Sequence, residues 1–539
     1  MIDTSKTTMK AIKVPFTDVP QFSKKDVAYV TEDPKLREFY KYAVGLEAFE
    51  QVIKDKQKDN TDREVLVKIL RQQYSKLEVT AVTRGHIEAL LEDNTFTLIT
   101  AHQPSLFTGP LYYIYKIISV INLSQKLATH YPEFQFVPVF ITGGEDHDFE
   151  EVNHVHLFNK TLEWKNEESG SVGMMSTKSL ESVLVELKEI LGDSERAAKV
   201  YELMSVTHSR HDQYSDAVID MVNEIFGPDG LVIVNMNHPG LKRLFIPEIK
   251  KEIFENPSID LVGKERDKLE AIGFKPQAFP REINFFYLRD QIRERITLSG
   301  DHYEVLNTDY IFTKEELEQE IDNHPERFSP NVIMRPLYQE KVFPNLAYIG
   351  GGGEIAYWLE RKTQFEYFGI NFPMLIRRDS VLWVDKGSMK KMDKLELNIH
   401  DFFQKEDDII RKFVEGQASE EITLADQKTK LAEIFDEIAE LAKAIDPTVA
   451  KAIQAEHTKQ QKVIDQLESR IHRAEKHKHD TAINQIRSVK DKLFPKDGLQ
   501  ERYDNFMGFY FMYGESFLDT LKEHLDPLEK NMTIILDER

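Results

Sequence analysis

The sequence predicts an α/β fold in which a parallel-sheet core carries an appended α-helical antiparallel coiled coil. Three observations carry that prediction. Apolar runs at Phe96–Thr100 and Phe136–Ile141 flank a helical stretch, Leu231–Val234 starts the same strand, polar loop, helix order again, and from Leu424 the apolar period becomes seven. At 539 residues and 41% hydrophobic, the chain is long enough for more than one core.

From Asp33 to Leu91 the pattern is helical, with Leu66, Ile69, Leu70 and Leu77 on one face that should pack beside the main domain. Phe96–Thr100 reads as a buried strand. A helix should begin near Pro110, because a first-turn proline costs no hydrogen bond, and Leu111, Ile114, Ile117, Ile118 and Ile121 follow at helical spacing. Phe136–Ile141 should then return parallel to the first strand, since a crossover of this length carries a helix. Pro138 inside it predicts an edge position or a strand start. Ser176–Phe226 reads as largely helical, an insertion or a covering layer. Leu231–Val234 is a further strand, and Asn284–Leu288, Tyr348–Gly350 and Met374–Arg377 are candidates for others. Thr313 with Glu316 three residues on makes a capping box for a short helix to His324.

In the heptad region, Leu424, Leu431, Ile438 and Ile445 line up, with Ile434 and Leu441 on the companion line. Asp446 and Pro447 supply an N-cap and a first-turn proline, so a second helix starts there and runs back. At ~1.5 Å per residue the arms are about 33 Å and 70 Å long, so the longer helix needs another partner, a second copy of the chain or the protein body. A register slip between Ala474 and Ala482 predicts a local change of supercoil. The tail should close with a helix ending before Pro527 and a strand at Met532–Leu536.

Seventy basic against 92 acidic residues give a net charge of −22, which repels phosphate backbones and anionic lipid, so nucleic acid is not expected as a partner. No segment approaches the ~18 to 20 apolar residues of a membrane span, and Met1–Phe16 lacks an apolar core of signal-peptide length. A cytoplasmic protein without a membrane partner is expected. The absence of cysteine excludes disulfides, thiolate metal sites and a cysteine nucleophile, so no structural zinc is expected and any metal would use His and carboxylates.

Chemistry is expected where the strands end. After the first strand, His102, Gln103, Thr108 and Lys116 cluster, and Thr108-Gly109 leads into a helix whose free N–H groups suit a phosphate or carboxylate. After the second stand Glu145, Asp146, His147 and Asp148, with His154 and His156 further on. Such a cluster needs counter-charges or a ligand, and it perturbs proton affinities in the way an acid or base requires. Metal binding by His147, Asp148 and His154 is conceivable but has no tight ligand spacing. A third group joins Arg335 to Gly350-Gly351-Gly352-Gly353-Glu354 and Tyr357, where Glu354 is a candidate to hold an amine and the aromatics to wall a pocket. Arg281 is a candidate partner for a carboxylate or phosphate.

Taken together, the blocks His102-Gln103-Pro104-Ser105-Leu106-Phe107-Thr108-Gly109-Pro110-Leu111-Tyr112 through Lys116, Glu145 to His154, Pro280-Arg281-Glu282-Ile283-Asn284, Ser329-Pro330-Asn331 to Leu337, and Ala347-Tyr348 to Trp358 resemble the BshC family, the cysteine-adding enzymes of bacillithiol biosynthesis. The resemblance spans nearly the whole length, including a late Leu499-Gln500-Glu501-Arg502 element. One departure is Thr100-Ala101-His102-Gln103, where members often carry a Thr-Gly-Gln-Gln start. The resemblance implies a Rossmann-like core with inserted connecting segments, a coiled coil used in homodimerisation, and ATP-dependent joining of cysteine to the amine of glucosaminyl malate, with Mg²⁺ accompanying the ATP. Asp146, His147, Asp148 and His154 are then the expected catalytic groups. His102, Gln103, Thr108, Gly109, Tyr112, Lys116, Arg281, Asn284, Asn331, Arg335, Tyr348, Gly351, Gly352, Glu354 and Tyr357 are the expected substrate- and nucleotide-binding residues. A metal-dependent hydrolase using His147, Asp148 and His154, or a non-catalytic coiled-coil scaffold, are the alternatives. The expected division is a helical segment over 1–95, a core over 96–384 with insertions at about 166–225 and 300–328, a coiled coil over 385–495, and a returning tail over 496–539.

Overall fold

The apolar runs become five parallel strands in the computed structural model, which describes residues 9–417 and 423–538; the first eight residues of the Met1–Phe16 stretch lie outside them. The strands are β1 (Thr95–His102), β2 (Gln135–Thr142), β3 (Val232–Asn235), β4 (Asn345–Gly350) and β5 (Met374–Arg377). Their spatial order is 3-2-1-4-5, every neighbouring pair parallel. The helix α1 (Tyr112–His130) joins β1 to β2. Alternate strand residues feed two cores: Leu98, Phe140 and Ile233 pack with Ile114, Ile117 and Ile121 of α1, whereas Ile99, Val139 and Val234 pack with Leu66, Ile69 and Leu70 of the N-terminal helices. Burial on both faces is why these strands read as continuous apolar runs.

Pro138 is not on an edge strand, because β2 lies between β1 and β3. The fold tolerates it by position: Leu98 of β1 is its partner on one side, while pairing with β3 begins only at Val139, so the missing N–H falls where the strand has a single neighbour. Asn284–Leu288 is also not an extension of the parallel sheet. Phe285–Arg289 and Ile292–Ser299 are joined by two residues, too few for a parallel crossover, and they form an antiparallel sheet with His302–Val305, Ile311–Phe312 and Phe328–Pro330. Ser176–Phe226 supplies three helices, of which Tyr214–Phe226 is buried along most of its length and covers the sheet beside β3. The Thr313–Glu316 capping box opens the helix Lys314–Asn323. A third sheet joins Met9–Pro15, which the apolar pattern does not announce, to Asn531–Asp537 and Val381–Val384.

By internal contacts the chain divides into Met1–Trp383 with Gln500–Ile535, and Val384–Leu499 with Leu536–Arg539. In the second unit the helices Ala425–Lys443 and Pro447–Lys478 run antiparallel, clamped by Lys428 on Asp465 at 2.8 Å and Glu468 at 2.7 Å. The Asp446 carboxylate accepts from Thr448 N at 2.8 Å, as its N-cap role requires. His479 separates Pro447–Lys478 from Asp480–Leu493, inside the interval where the heptad register slips. The hairpin does not bury its own apolar line: Ile434, Ile438, Leu441 and Ile445 are 54, 44, 72 and 87% exposed. Among the described residues no helix is long and apolar enough to cross a membrane.

Candidate active site

In a 3-2-1-4-5 sheet the connections leave β1 and β4 toward opposite faces, which opens a crevice at the carboxyl ends of those two strands. A cleft of about 510 Å³ lies there. His102 ends β1, Gly351 follows β4, and Asp146 stands four residues beyond β2.

Residues after β1 and β2 meet directly, because Gln103 Nε2 donates to Asp146 Oδ2 at 2.7 Å and to Glu151 Oε2 at 3.1 Å. Asp146 Oδ1 accepts from the backbone N–H of His147 at 2.7 Å. Burial raises the Asp146 proton affinity, but the hydrogen bonds from His147 and Gln103 and the charge of Arg293 outweigh it and hold the carboxyl well below its usual range. Glu145 is neutralised by the fully buried Lys242 at 2.6 Å. The Glu145 and Asp146 charges are thus answered within the protein, whereas His147 and Asp148 are exposed.

On the opposite wall, Lys116 from α1 is 3% exposed and donates to the Ala101 carbonyl at 2.9 Å while pairing with Glu354 at 2.5 Å. Glu354 also accepts from Tyr348 Oη at 2.6 Å and from Gly351 N at 2.9 Å. Desolvation pushes its proton affinity up, yet the Lys116 charge and these donors bring it down to about 2. Glu354 is therefore fully engaged inside the protein and is not the free amine holder that its place after the glycines suggests. Burial, reinforced by the nearby Lys116 charge, lowers His102 to about 3, so its imidazole is neutral. Its Nδ1 accepts from Gln103 N at 2.8 Å, which leaves the ring proton on Nε2, 3.0 Å from Tyr112 Oη.

The positive side of the cleft is richer than the motifs indicate. Arg335 donates from Nη2 to Tyr357 Oη at 2.9 Å, while its Nη1 is buried with no hydrogen-bond partner. Arg378 pairs with the buried Glu501 at 2.7 Å and leaves Nε unpartnered. Arg293 lies 3.8 Å from Asp146, and Arg502 lines the cleft with no ion pair among the described residues. Arg293 and Arg378 are not singled out in the sequence, where isolated arginines outside a motif look like any surface cation, and Arg502 stands there only within the Leu499-Gln500-Glu501-Arg502 element, without a role.

Of the anticipated residues, the cleft gathers His102, Gln103, Tyr112, Lys116, Asp146, Asn331, Arg335, Gly351, Glu354 and Tyr357. Others stand behind it. Asn284 is buried and its Oδ1 accepts from Asn331 Nδ2 at 3.0 Å, so it positions rather than lines, as Tyr348 does for Glu354. Gly352 serves packing: a Cβ there would sit 2.2 Å from an Asp26 carboxylate oxygen, and Asp26 is held by Arg377 at 3.0 Å. Arg281 is exposed and outside the cleft. Thr108 and Gly109 do not reach it either, because the turn is buried and clamped: the Asn505 amide donates to Phe107 O at 2.8 Å and Gly109 O at 2.6 Å. His147 and Asp148 lie outside the lining and His154 in a side pocket, and no group of three His, Asp or Glu among the described residues is placed to share a metal ion.

Residues 9–379 match the family description "Bacillithiol biosynthesis BshC, N-terminal Rossmann-like domain", and residues 381–536 match "Bacillithiol biosynthesis BshC, C-terminal coiled-coil domain". The chain belongs to the BshC family. A relative from Christiangramia forsetii is 42% identical over 94% of this chain and 95% of its own length, and one from Flavobacterium johnsoniae is 41% identical over 95% and 97%. Both bear the name "Putative cysteine ligase BshC". The chain is accordingly a ligase of bacillithiol biosynthesis, with a Rossmann-like core and a coiled coil.

Proposed function

We propose that the cleft joins the carboxylate of cysteine to the amine of glucosaminyl malate in an ATP-dependent step. The observation that carries this reading is the buried, unpartnered Nη1 of Arg335 in the same cleft as Arg502, which has no ion pair among the described residues. A buried guanidinium nitrogen without an acceptor is costly, and a carboxylate or phosphate of a bound ligand supplies the acceptor. The relatives' name, putative cysteine ligase, and the family description, bacillithiol biosynthesis, support the reaction class, and the C–N bond is part of this proposal.

A carboxylate is a poor electrophile, so one of its oxygens must leave on phosphorus: its attack on ATP, with Mg²⁺, would release ADP or pyrophosphate, and phosphate or AMP respectively would then depart as the amine nitrogen bonds to the carbonyl carbon and loses a proton. Arg335 and Arg502 are placed to hold anionic groups. Asp146, ionised throughout the neutral range, suits an ammonium or amine N–H better than it suits a proton acceptor. His147, exposed at the rim beside Asp146, already accepts at Nδ1 from Arg293 Nη1 at 2.5 Å, so the departing proton is assigned to it only when the substrate's anionic group draws Arg293 away.

Incubation of the purified protein with ATP, cysteine and glucosaminyl malate should yield the amide product by mass spectrometry, together with either AMP or ADP. No amide and no nucleotide turnover would overturn the reading. Unchanged turnover in His147→Ala would remove His147 from proton transfer. We infer also that the exposed apolar line of the coiled coil is covered by a second copy of the chain, making a homodimer.

A further inference from the structure

The cleft has an annex. A pocket of about 80 Å³ opens beside it, sharing His102, Gln103, Tyr112, Glu151 and Arg502 with the larger space. Its own walls are Ser105, Pro110, His154, Val155, His156 and Tyr503. At that size it holds on the order of five water-sized groups, so neither a sugar nor a nucleoside fits, whereas a small amino-acid side chain does.

Five of the eleven lining residues carry aromatic rings: His102, Tyr112, His154, His156 and Tyr503. The His156 ring lies flat on Tyr503, 3.9 Å between centroids and 10° apart in plane, and its Nδ1 is 2.9 Å from Thr161 Oγ1. His154 meets His156 edge-on at 5.5 Å. Its Nδ1 stands 3.0 Å from the side-chain oxygen of Asn153, a pure acceptor, so the ring proton sits on Nδ1 and Nε2 is left as an acceptor. Polarizable sulfur is favoured against aromatic rings, and a thiol needs only one weak acceptor for its S–H. A hydroxyl of the same shape is more strongly hydrated than a thiol, so it loses more on leaving water for the ring faces. No thiolate is present in this cysteine-free chain to build a zinc site that would select the thiol instead.

We propose that this annex is the selectivity pocket for cysteine: the CH₂–SH group enters against the joined faces of His154 and the His156–Tyr503 stack, Nε2 of His154 accepts from the S–H, and Glu151 at the mouth takes the ammonium, so that the carboxylate is left in the main cleft. The assignment rests on the chain's being a cysteine-joining ligase.

The test is cysteine affinity and selectivity. Calorimetry with L-cysteine alone, and KM for cysteine against serine and 2-aminobutyrate, are compared for the wild type, His154→Ala and His154→Gln, with thermal unfolding as the check on folding. His154→Ala should lose about tenfold in cysteine affinity and a similar factor in discrimination against serine, with KM for ATP and glucosaminyl malate unchanged. His154→Gln, which keeps an acceptor, should recover part of both, which a merely structural role would not produce. Amide formation with cysteine affinity and selectivity equal in the wild type and a folded His154→Ala overturns the pocket and leaves the ligase reading standing. Cysteine binding that His154→Ala weakens, without amide formation in the wild type, supports the pocket and overturns the ligase reading. A wild type that binds no cysteine overturns both. Since the wild-type comparison of cysteine, serine and 2-aminobutyrate needs no variant, an unfolded His154→Ala still leaves a decisive result: equal use of all three would refute the pocket.

Discussion

Lys116 and Glu354 answer each other inside a wall that water barely reaches, at 4% and 22% side-chain exposure, so removing either strands the other's charge. Lys116→Met and Glu354→Gln should each cost about 3 to 5 kcal/mol, while the double replacement costs clearly less than their sum. Urea unfolding of the four proteins measures this directly, and additivity would mean that the pair is not coupled. His102 carries a pH dependence whose sign follows from its environment. Its folded value of about 3 lies below the ordinary 6.5, so between these values the unfolded chain binds a proton that the native site refuses. Stability should therefore fall as pH drops from 6.5 toward 3, by about 2 kcal/mol between pH 7.5 and 5, and be flat above that window as far as His102 is concerned. His102→Gln, which has nothing to protonate, should lose that component; an unchanged slope between pH 7.5 and 5 would show that the imidazole is not held neutral. The residues themselves are half legible: Gln103, Lys116, Asp146 and Arg335 stand next to strand ends in the sequence. What sequence order hides is satisfaction, since nothing local says that Glu354 is spent on Lys116 and Tyr348 or that Asp146 is held by donors from two loops.

The turn between β1 and α1 shows at the element scale why an apparent ligand loop is structural. Phe107, Thr108 and Gly109 all take positive φ, at 44°, 71° and 63°, a run that two of these side chains resist, and the Thr108 hydroxyl is buried without a partner. Asn505 holds the carbonyls on either side, and Leu111 N donates to Asp504 O at 2.8 Å, so a segment some 400 residues away fixes where α1 begins. Asn505→Ala would leave two buried carbonyls unpaired, at about 1 to 3 kcal/mol each. The expected outcome is a loss of about 2 to 4 kcal/mol together with reduced turnover, because α1 carries Tyr112 and Lys116 into the cleft. Hydrogen exchange at Tyr113 and Tyr115 reports the turn itself, and protection there equal to wild type would refute the clamp. Short-range pattern cannot disclose such a device, whereas it discloses β1, α1 and β2 well, because their apolar spacing is a local property. The antiparallel sheet around Phe285–Arg289 was missed for a related reason: its strands show no sustained alternation, and only the two-residue link to Ile292–Ser299 marks the hairpin.

Across the whole molecule, the first unit is discontinuous in sequence: the chain leaves at Trp383 and re-enters at Gln500, and the returning stretch supplies the Gln500 side chain to the backbone of Trp383, Glu501 to Arg378, Arg502 to the cleft and Asn505 to the turn. The long helical excursion between those points has its own unsolved apolar surface. In the second unit, burying Ile438, Leu441 and Ile445 demands a helix that the hairpin does not provide, since its two arms already face each other through the Lys428 pairs and Gln454–Asp436 at 3.0 Å while this line stays exposed. A line of large apolar side chains at 44 to 87% exposure is an unpartnered coiled-coil stripe, and knobs of this kind gain about 1.5 to 3 kcal/mol each when fully buried. A second copy offers the same stripe in reverse, which a two-fold axis matches to itself. Sedimentation equilibrium at micromolar concentration should therefore return twice the chain mass for the wild type and the single-chain mass for Leu441→Asp with Ile445→Asp. Those two positions are exposed within the chain and outside the cleft, so the monomeric variant should keep its far-ultraviolet circular dichroism; a wild type that sediments as a monomer would leave the stripe without its proposed cover.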